Sequence, residues 1–274
     1  MTNETSTPNL AEYDFIVINT SAGKDSQAMM DYVMGLARTA GVVDRVVAVH
    51  CDLGRCEWPG TKELAEQHCK HYGISLQVIR REKGDLLVQV EQRGMWPDNK
   101  NRYCTSDQKR DQVAKVHTAL ATQRITELHA QGQTRQIRIL NCMGLRGDES
   151  AARAKKPAFQ NDKRLTNGKR QVDIWLPIHG WTTQQVWATI KASGVPHHVA
   201  YDYGMPRLSC MFCIFASRDA LMIAGSKNPE LLAEYVRIET KIDHTFRNGF
   251  RIGEIKEALD RGEPAPTTAK SWTM

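Results

Sequence analysis

The segment DFIVINTSAGKDSQAMM at residues 14–30 limits the fold more tightly than any other stretch. Residues 14–19 form a short apolar run that reads as a buried strand. From Asp25 to Ala40, apolar residues recur at Ala28, Met29, Tyr32, Val33, Leu36 and Ala37, the spacing of one helix face. Between them lies Ser21–Ser26, too polar and too rich in small residues to extend the strand. A strand, a tight loop and a helix in that order open a parallel α/β sheet.

The alternation continues. RVVAVHC (45–51) reads as a second strand, residues 61–72 as a helix closed by Gly73, and LQVIR (76–80) as a third strand. Residues 84–93 read as a helix ending at Gly94, 95–104 as a loop, and 107–131 as a long helix. Strands follow at 137–144 and 172–178, then a helix from Thr182 or Thr183 to Ser193. Residues 194–216 are irregular, and helices at 228–247 and 251–261 finish the chain. The expectation is an α/β, doubly wound, mostly parallel five-stranded sheet with a helical C-terminal extension. Residues 1–13 are expected to be a flexible N-terminus, 14–216 one domain and 217–274 the extension.

With 274 residues, 41% of them hydrophobic, the chain has enough material for a core. No run approaches the roughly 18 apolar residues of a membrane span. The start MTNETSTPNLAEYD is polar and acidic, unlike a secretory signal, so a cytoplasmic protein is expected. In that compartment the seven cysteines should be thiols, metal ligands or catalytic groups rather than disulfides. The net charge of +6 suits an anionic partner and is also ordinary for a soluble protein. Residues 153–170 hold seven basic residues and one acid, which reads as a mobile basic loop.

The loop Ser21–Ser26 stands at the carboxyl end of the first strand, where doubly wound sheets bind ligands. A helix start offers backbone N–H groups and a positive dipole end to phosphate. Gly23 lets the backbone approach an anion, Ser21 and Ser26 can donate hydroxyls, and Lys24 brings a positive charge. Asp25 either caps the helix or helps hold Mg²⁺. The spacing is not that of the Walker loop. An ordinary strand–helix turn with a capping side chain is the plainer alternative.

SAGKDS resembles the PP-loop of the ATP pyrophosphatase superfamily, whose usual form is Ser-Gly-Gly-Lys-Asp-Ser, with Ala22 in place of a glycine. CDLGRCEWPGT (51–61), NRYCTSDQKR (101–110), CMGLRGDES (142–150) and the stretch 176–213 ending SCMFC are similar to its phosphoadenosine-phosphosulfate (PAPS) reductase-like branch, in the family order. Among members, the chain looks most like the sulfurtransferase subunits of DNA phosphorothioation. The resemblance implies an adenine nucleotide alpha hydrolase-like fold. It also implies a nucleotide site of Ser21, Ala22, Gly23, Lys24, Asp25, Ser26, Asp52, Gly144 and Arg146, with ATP and Mg²⁺. Catalytic roles fall to Lys24, Asp25, Arg146 and Cys104. Glu57 and Glu149 are weaker candidates.

Cys210 and Cys213 form a C-x-x-C pair, half of a four-thiolate site. The resemblance adds Cys104, which sits close to a helix start among basic residues that would lower its pKa. These three cysteines imply a [4Fe–4S] cluster with one open iron position; zinc and redox or persulfide-carrying thiols stay open beside it. Cys51, Cys56 and Cys142 are candidate fourth ligands or small buried residues. Adjacent His197 and His198 read as packing, as do Trp175, Trp181 and Trp187.

Two activities compete. One is an ATP pyrophosphatase that adenylates an acceptor for sulfur incorporation, with nucleic acid such as the DNA backbone as acceptor and a cysteine desulfurase as donor. The other is a PAPS or APS reductase. Lys24, and the lack of a cysteine after Cys213, favour the first. A non-catalytic nucleotide-binding regulatory subunit is the third alternative.

Overall fold

The computed structural model describes residues 7–269, so residues 1–6 of the expected flexible N-terminus lie outside the described residues. The chain forms two compact units. The first comprises Met1–His50, Lys62–Ile79 and Val113–His197; the second comprises Cys51–Thr61, Arg80–Gln112 and His198–Met274.

The first unit is built on a sheet with strands β1 (Phe15–Thr20), β2 (Val46–Cys51), β3 (Ser75–Ile79), β4 (Ile137–Met143), β5 (Phe159–Asn161) and β6 (Arg170–Trp175). The strand order is β3-β2-β1-β4-β6-β5. The pairs β1–β2, β1–β4 and β4–β6 are parallel, and β5 runs antiparallel to β6. Helices α1 (Lys24–Thr39), α2 (Thr61–Tyr72), α5 (Asp111–Ala130) and α7 (Thr183–Ser193) accompany it. Ile16 and Ile18 of β1 join Met29, Met30, Val33 and Met34 of α1 in one buried cluster with Trp175, Val186 and Ile190. Leu10 and Tyr13, before β1, belong to the same cluster.

The sheet has six strands where the periodicity predicted five. The extra one is β5, three residues long and without apolar alternation, inside the segment read as a mobile basic loop. That segment is ordered by local bonds. The short helix α6 (Ala151–Ala154) is capped by Ser150, Arg153 pairs with Glu149, and the amides of Leu165 and Thr166 donate to the Asp162 carbonyl. Arg170 is 9% exposed and donates to the Leu165 carbonyl and the Thr118 hydroxyl.

The second unit holds α3 (Leu86–Arg93), α4 (Tyr103–Thr105), α8 (Arg218–Lys227), α9 (Pro229–Ile242) and α10 (Gly253–Asp260). Its centre is aromatic: Trp96 stacks on Tyr235 at 5.3 Å, and Phe246 meets Trp96 edge-on at 5.2 Å. Helix α8 is missing from the sequence expectation, and α9 stops at Ile242 rather than 247. The stop has a cause. Asp243 turns left-handed at φ +46°, and the buried Glu239 carboxylate accepts the amides of Phe246, Ile252 and Gly253, which binds the next turn back onto α9. The helix expected from 107 begins instead as a π-turn over Ser106–Arg110 that leads into α5. Among the described residues no helix is long and apolar enough to cross a membrane.

One buried group in the first unit carries a stability consequence. His117, on the inner face of α5, is 0% exposed, and neither ring nitrogen has a hydrogen-bond partner. Burial first, then the charges of Arg170 and Arg164, push its pKa from 6.5 down to about 4. The unfolded chain takes up this proton below pH 6.5, whereas the folded chain refuses it until about pH 4. Stability is thus complete at neutral pH and falls by about 3 kcal/mol as the pH drops through that window. Chemical denaturation from pH 7 to pH 4 should show a flatter loss for His117→Leu than for the native chain.

Candidate functional site

The loop between β1 and α1 is stitched by its own side chains. The Ser21 amide donates to Ser26 Oγ at 3.2 Å, Ser26 Oγ donates to the Gly23 carbonyl at 2.9 Å, and the Ala22 amide donates to Thr20 Oγ1 at 3.3 Å. Gly23 caps α1 without a side-chain hydrogen bond. Ala22 sits at φ +53°, the left-handed region in which the usual glycine costs nothing.

Lys24 is 3% exposed, and its Nζ lies 3.3 Å from Asp25 Oδ2. The other Asp25 oxygen accepts from Arg146 Nε at 2.5 Å. Arg146, at the end of the β4 connection, is also 3% exposed; its Nη1 donates to Asp148 Oδ2 at 2.6 Å and to the Trp181 carbonyl at 3.2 Å. Lys24, Asp25 and Arg146, expected to act together, are therefore joined in one charge-assisted chain. Both Asp25 oxygens are engaged by cations rather than by the helix start.

Gly144 brings the end of β4 against the start of α1. A Cβ there would lie 2.9 Å from the carbonyl carbon and oxygen of Asp25 and 3.0 Å from the Ser26 amide nitrogen. The close approach holds the loop and Arg146 in register. Glu149 turns inward, accepting from the Arg146 amide at 3.3 Å and from Arg153.

Most of the remaining candidates lie in the second unit. Asp52 Oδ1 accepts the Gly54 amide at 2.7 Å, so Asp52 forms the turn that its strand-end position suggests. Gly54 sits at φ +63°, the left-handed region that favours glycine. His198 is buried among Thr61, Pro59 and the Ala200 amide, a packing role as expected.

All seven cysteines are free thiols. Cys104, Cys210 and Cys213 pack against the same hydrophobic cluster, and the Met211 amide ties the C-x-x-C loop to the Cys56 carbonyl at 2.8 Å. Burial pushes the Cys210 and Cys213 thiols up; each also feels the other sulfurs, with Lys109 opposing. Burial likewise raises Cys51 to about 11 and Cys56 to about 12. Lys109 is solvent-exposed, and Cys210, Cys104, Cys51 and Glu57 hold its pKa above the ordinary value. Among the described residues no three His, Cys, Asp or Glu side chains converge to hold a metal ion. The thiols share one electrostatic neighbourhood around a lysine without forming a closed ligand set. Cys142 is a fully buried residue of the first unit's core, as the plainer reading of it expected.

The sequence carried no sign of the Trp181 carbonyl as an Arg146 acceptor, nor of the Thr20 hydroxyl as an acceptor for the loop. Both depend on where a turn brings the backbone.

Comparison with known proteins gives a consistent family. Residues 15–216 match the phosphoadenosine phosphosulfate reductase domain. An uncharacterised 37.8 kDa protein of Escherichia phage 186 is 26% identical over 184 residues, covering 67% of this chain and 51% of that protein. The chain thus spans about half the length of that relative. An adenosine 5′-phosphosulfate reductase of Allochromatium vinosum is 25% identical over 202 residues, covering 74% of this chain and 69% of the enzyme. Among solved structures, the PAPS reductase of Candida auris in a phosphate complex aligns with 75% of this chain and 82% of its own, at 15% identity and a TM-score of 0.45.

Two substitutions separate close approach from strain. Gly144→Ala should destabilise the chain by about 1–3 kcal/mol through overpacking, read by thermal melting. Ala22→Gly should leave stability nearly unchanged, because relief of the left-handed strain and the added freedom of glycine are each about 1 kcal/mol and oppose one another.

Proposed function

The chain belongs to the phosphoadenosine phosphosulfate reductase domain family, and from that premise we propose that it is an ATP pyrophosphatase that adenylates an acceptor ahead of sulfur incorporation. The observation that carries this reading is Lys24: buried, in the binding loop, and fixed by Asp25 and Arg146. A lysine ammonium held there suits the β- and γ-phosphates of ATP.

In this reading the helix start and Lys24 bind the pyrophosphate portion. An acceptor oxygen attacks the α-phosphorus, the bond to the bridging oxygen of the β-phosphate breaks, and pyrophosphate leaves with that electron pair. Catalysis rests on positioning and charge neutralisation. Lys24 neutralises the leaving group. Arg146, with both of its carboxylate partners bound, acts as a positioning residue that fixes Asp25 and through it Lys24. Mg²⁺ would enter with the nucleotide. A sulfur nucleophile then displaces AMP from the adenylated acceptor. Nucleic acid, such as the DNA phosphorothioate backbone, is the acceptor we propose, with a cysteine desulfurase as sulfur donor.

The thiols match an iron–sulfur cluster in donor type, although among the described residues they do not converge on a metal position. Soft sulfur donors suit iron, and burial that raises the Cys210 and Cys213 thiols calls for a bound cation to keep them as thiolates. Cys104, Cys210 and Cys213 would hold it, and a bound cluster with an open iron would supply a site for sulfide. Lys109 would balance part of the negative charge of the thiolates. Iron and acid-labile sulfide should be found after anaerobic purification, and Cys213→Ser should lose the visible absorbance.

The Allochromatium relative favours a second reading, reduction of a sulfonucleotide. The two differ in what they ask of Lys24, since a sulfonucleotide has no γ-phosphate. Pyrophosphate release from ATP, measured with and without DNA or RNA, should be present in the native chain and fall about 10²–10³-fold in Lys24→Met. Sulfite release from a sulfonucleotide with a thiol donor, without ATP turnover, would overturn the proposal in favour of the reductase.

A further inference from the structure

The second unit carries a basic cleft apart from the charge chain of the first. It has a volume of about 480 Å³ and is lined by nine residues between Arg93 and Arg110, among them Arg93, Lys100, Arg102 and Arg110, with Asp107 as the one carboxylate in the lining. Three features make it more than a solvated run of charges. First, two guanidiniums are held in place by aromatic rings: Arg93 lies 4.4 Å over Tyr103, and Arg102 lies 5.1 Å over Phe215. Stacking fixes the plane of a guanidinium; Arg93 turns an N–H group to Asp107 and Arg102 donates to Thr105 Oγ1 at 3.4 Å. Second, the floor is the π-turn Ser106–Arg110, closed by the Asp111 amide donating to the Ser106 carbonyl. Such a turn widens the helix and is frequent at functional positions. Third, Asp107 is already engaged, accepting from Gln89 at 2.7 Å and lying 3.3 Å from Arg93. Asp98, just outside the lining, is taken up by the Lys100 and Asn101 amides at 2.6 Å. Asp111, next to the lining, lies 3.8 Å from Arg110, so the four lining cations face Asp98, Asp107 and Asp111 and the cleft keeps a small excess of positive charge.

Cys104 stands between two lining residues, Tyr103 and Thr105, with its Sγ 4.0 Å from Thr105 Oγ1. We infer that this cleft binds the phosphodiester backbone of a single-stranded nucleic acid and presents it beside Cys104. The nature of the ligand rests on the acceptor proposed above; the cleft and its charge do not. The rival surface is the 153–170 segment of the first unit, where Lys155 and Lys156 are exposed. It offers charges along a strand and turns.

The test uses the full chain and a fluorescent single-stranded DNA oligonucleotide, with anisotropy recorded over a salt series. Lys100→Gln with Arg110→Gln should weaken binding about tenfold and lower the salt slope by about 1.4, the value for two lost single-strand phosphate contacts. Lys155→Gln with Lys156→Gln removes equal charge and should leave binding within twofold. Unchanged melting midpoints show that both variants fold. Loss of binding only in the 155/156 variant, or equal loss in both, overturns the inference. So does displacement of the oligonucleotide by inorganic phosphate at constant ionic strength, which would mark a small-anion site. Pyrophosphate release from ATP is measured on the native chain in parallel. If it is absent while the cleft-dependent binding stands, the ATP reading fails and the cleft remains. If it is present without cleft-dependent binding, the cleft fails alone.

Discussion

Arg146 brings a full positive charge into the interior of the first unit, at 3% exposure, and the first turn of α1 supplies the countercharge through Asp25. A buried cation is tolerated only when its donors are matched, and here two carboxylates and the Trp181 carbonyl do so. The pairing has a direction. It runs from the end of β4 through Asp25 to Lys24, so the position of the Lys24 ammonium is set by a residue more than a hundred positions away in sequence. The close packing at Gly144 shortens the gap that the ion pair must bridge. Neither device works without the other, because an extra methyl at 144 would push Asp25 away from the guanidinium.

The fold was legible where apolar period and length agreed. β1, α1, β2, α2 and β4 each combine a continuous run or a clean 3.6-residue stripe with a glycine or capping residue at the end. Two kinds of element escaped. β5 is three exposed residues, recognised only by its pairing with β6. The end of α9 is fixed by Glu239, whose carboxylate gathers three amides from the following turn, a long-range bond that no local propensity announces. The π-turn at Ser106–Arg110 belongs with them, since its residues are ordinary helix formers.

The candidate site divides in the same way. Which residues form the loop is written in SAGKDS; what their side chains do is not. Asp25 has the look of a cap or a metal ligand, yet both of its oxygens serve cations. Asp52 has the look of a ligand to a nucleotide, yet one oxygen closes its own turn. The cysteines are the reverse case. Spacing singled out Cys210 and Cys213, the family resemblance added Cys104, and the three do pack against one cluster. What spacing could not convey is that a lysine sits among the sulfurs, so that the charge of any thiolate formed there is answered by a permanent neighbour.

The basic segment before β6 has a second physical role. A sheet must end somewhere, and its last strand offers unpaired backbone groups to any other extended chain. Here the last strand is three residues long, flanked by lysines and arginines on both sides. Two copies of the chain meeting edge to edge would bring like charges together over a ladder too short to hold them. The cationic flanks that draw attention as a surface for polyanions also keep one molecule's sheet from growing into the next.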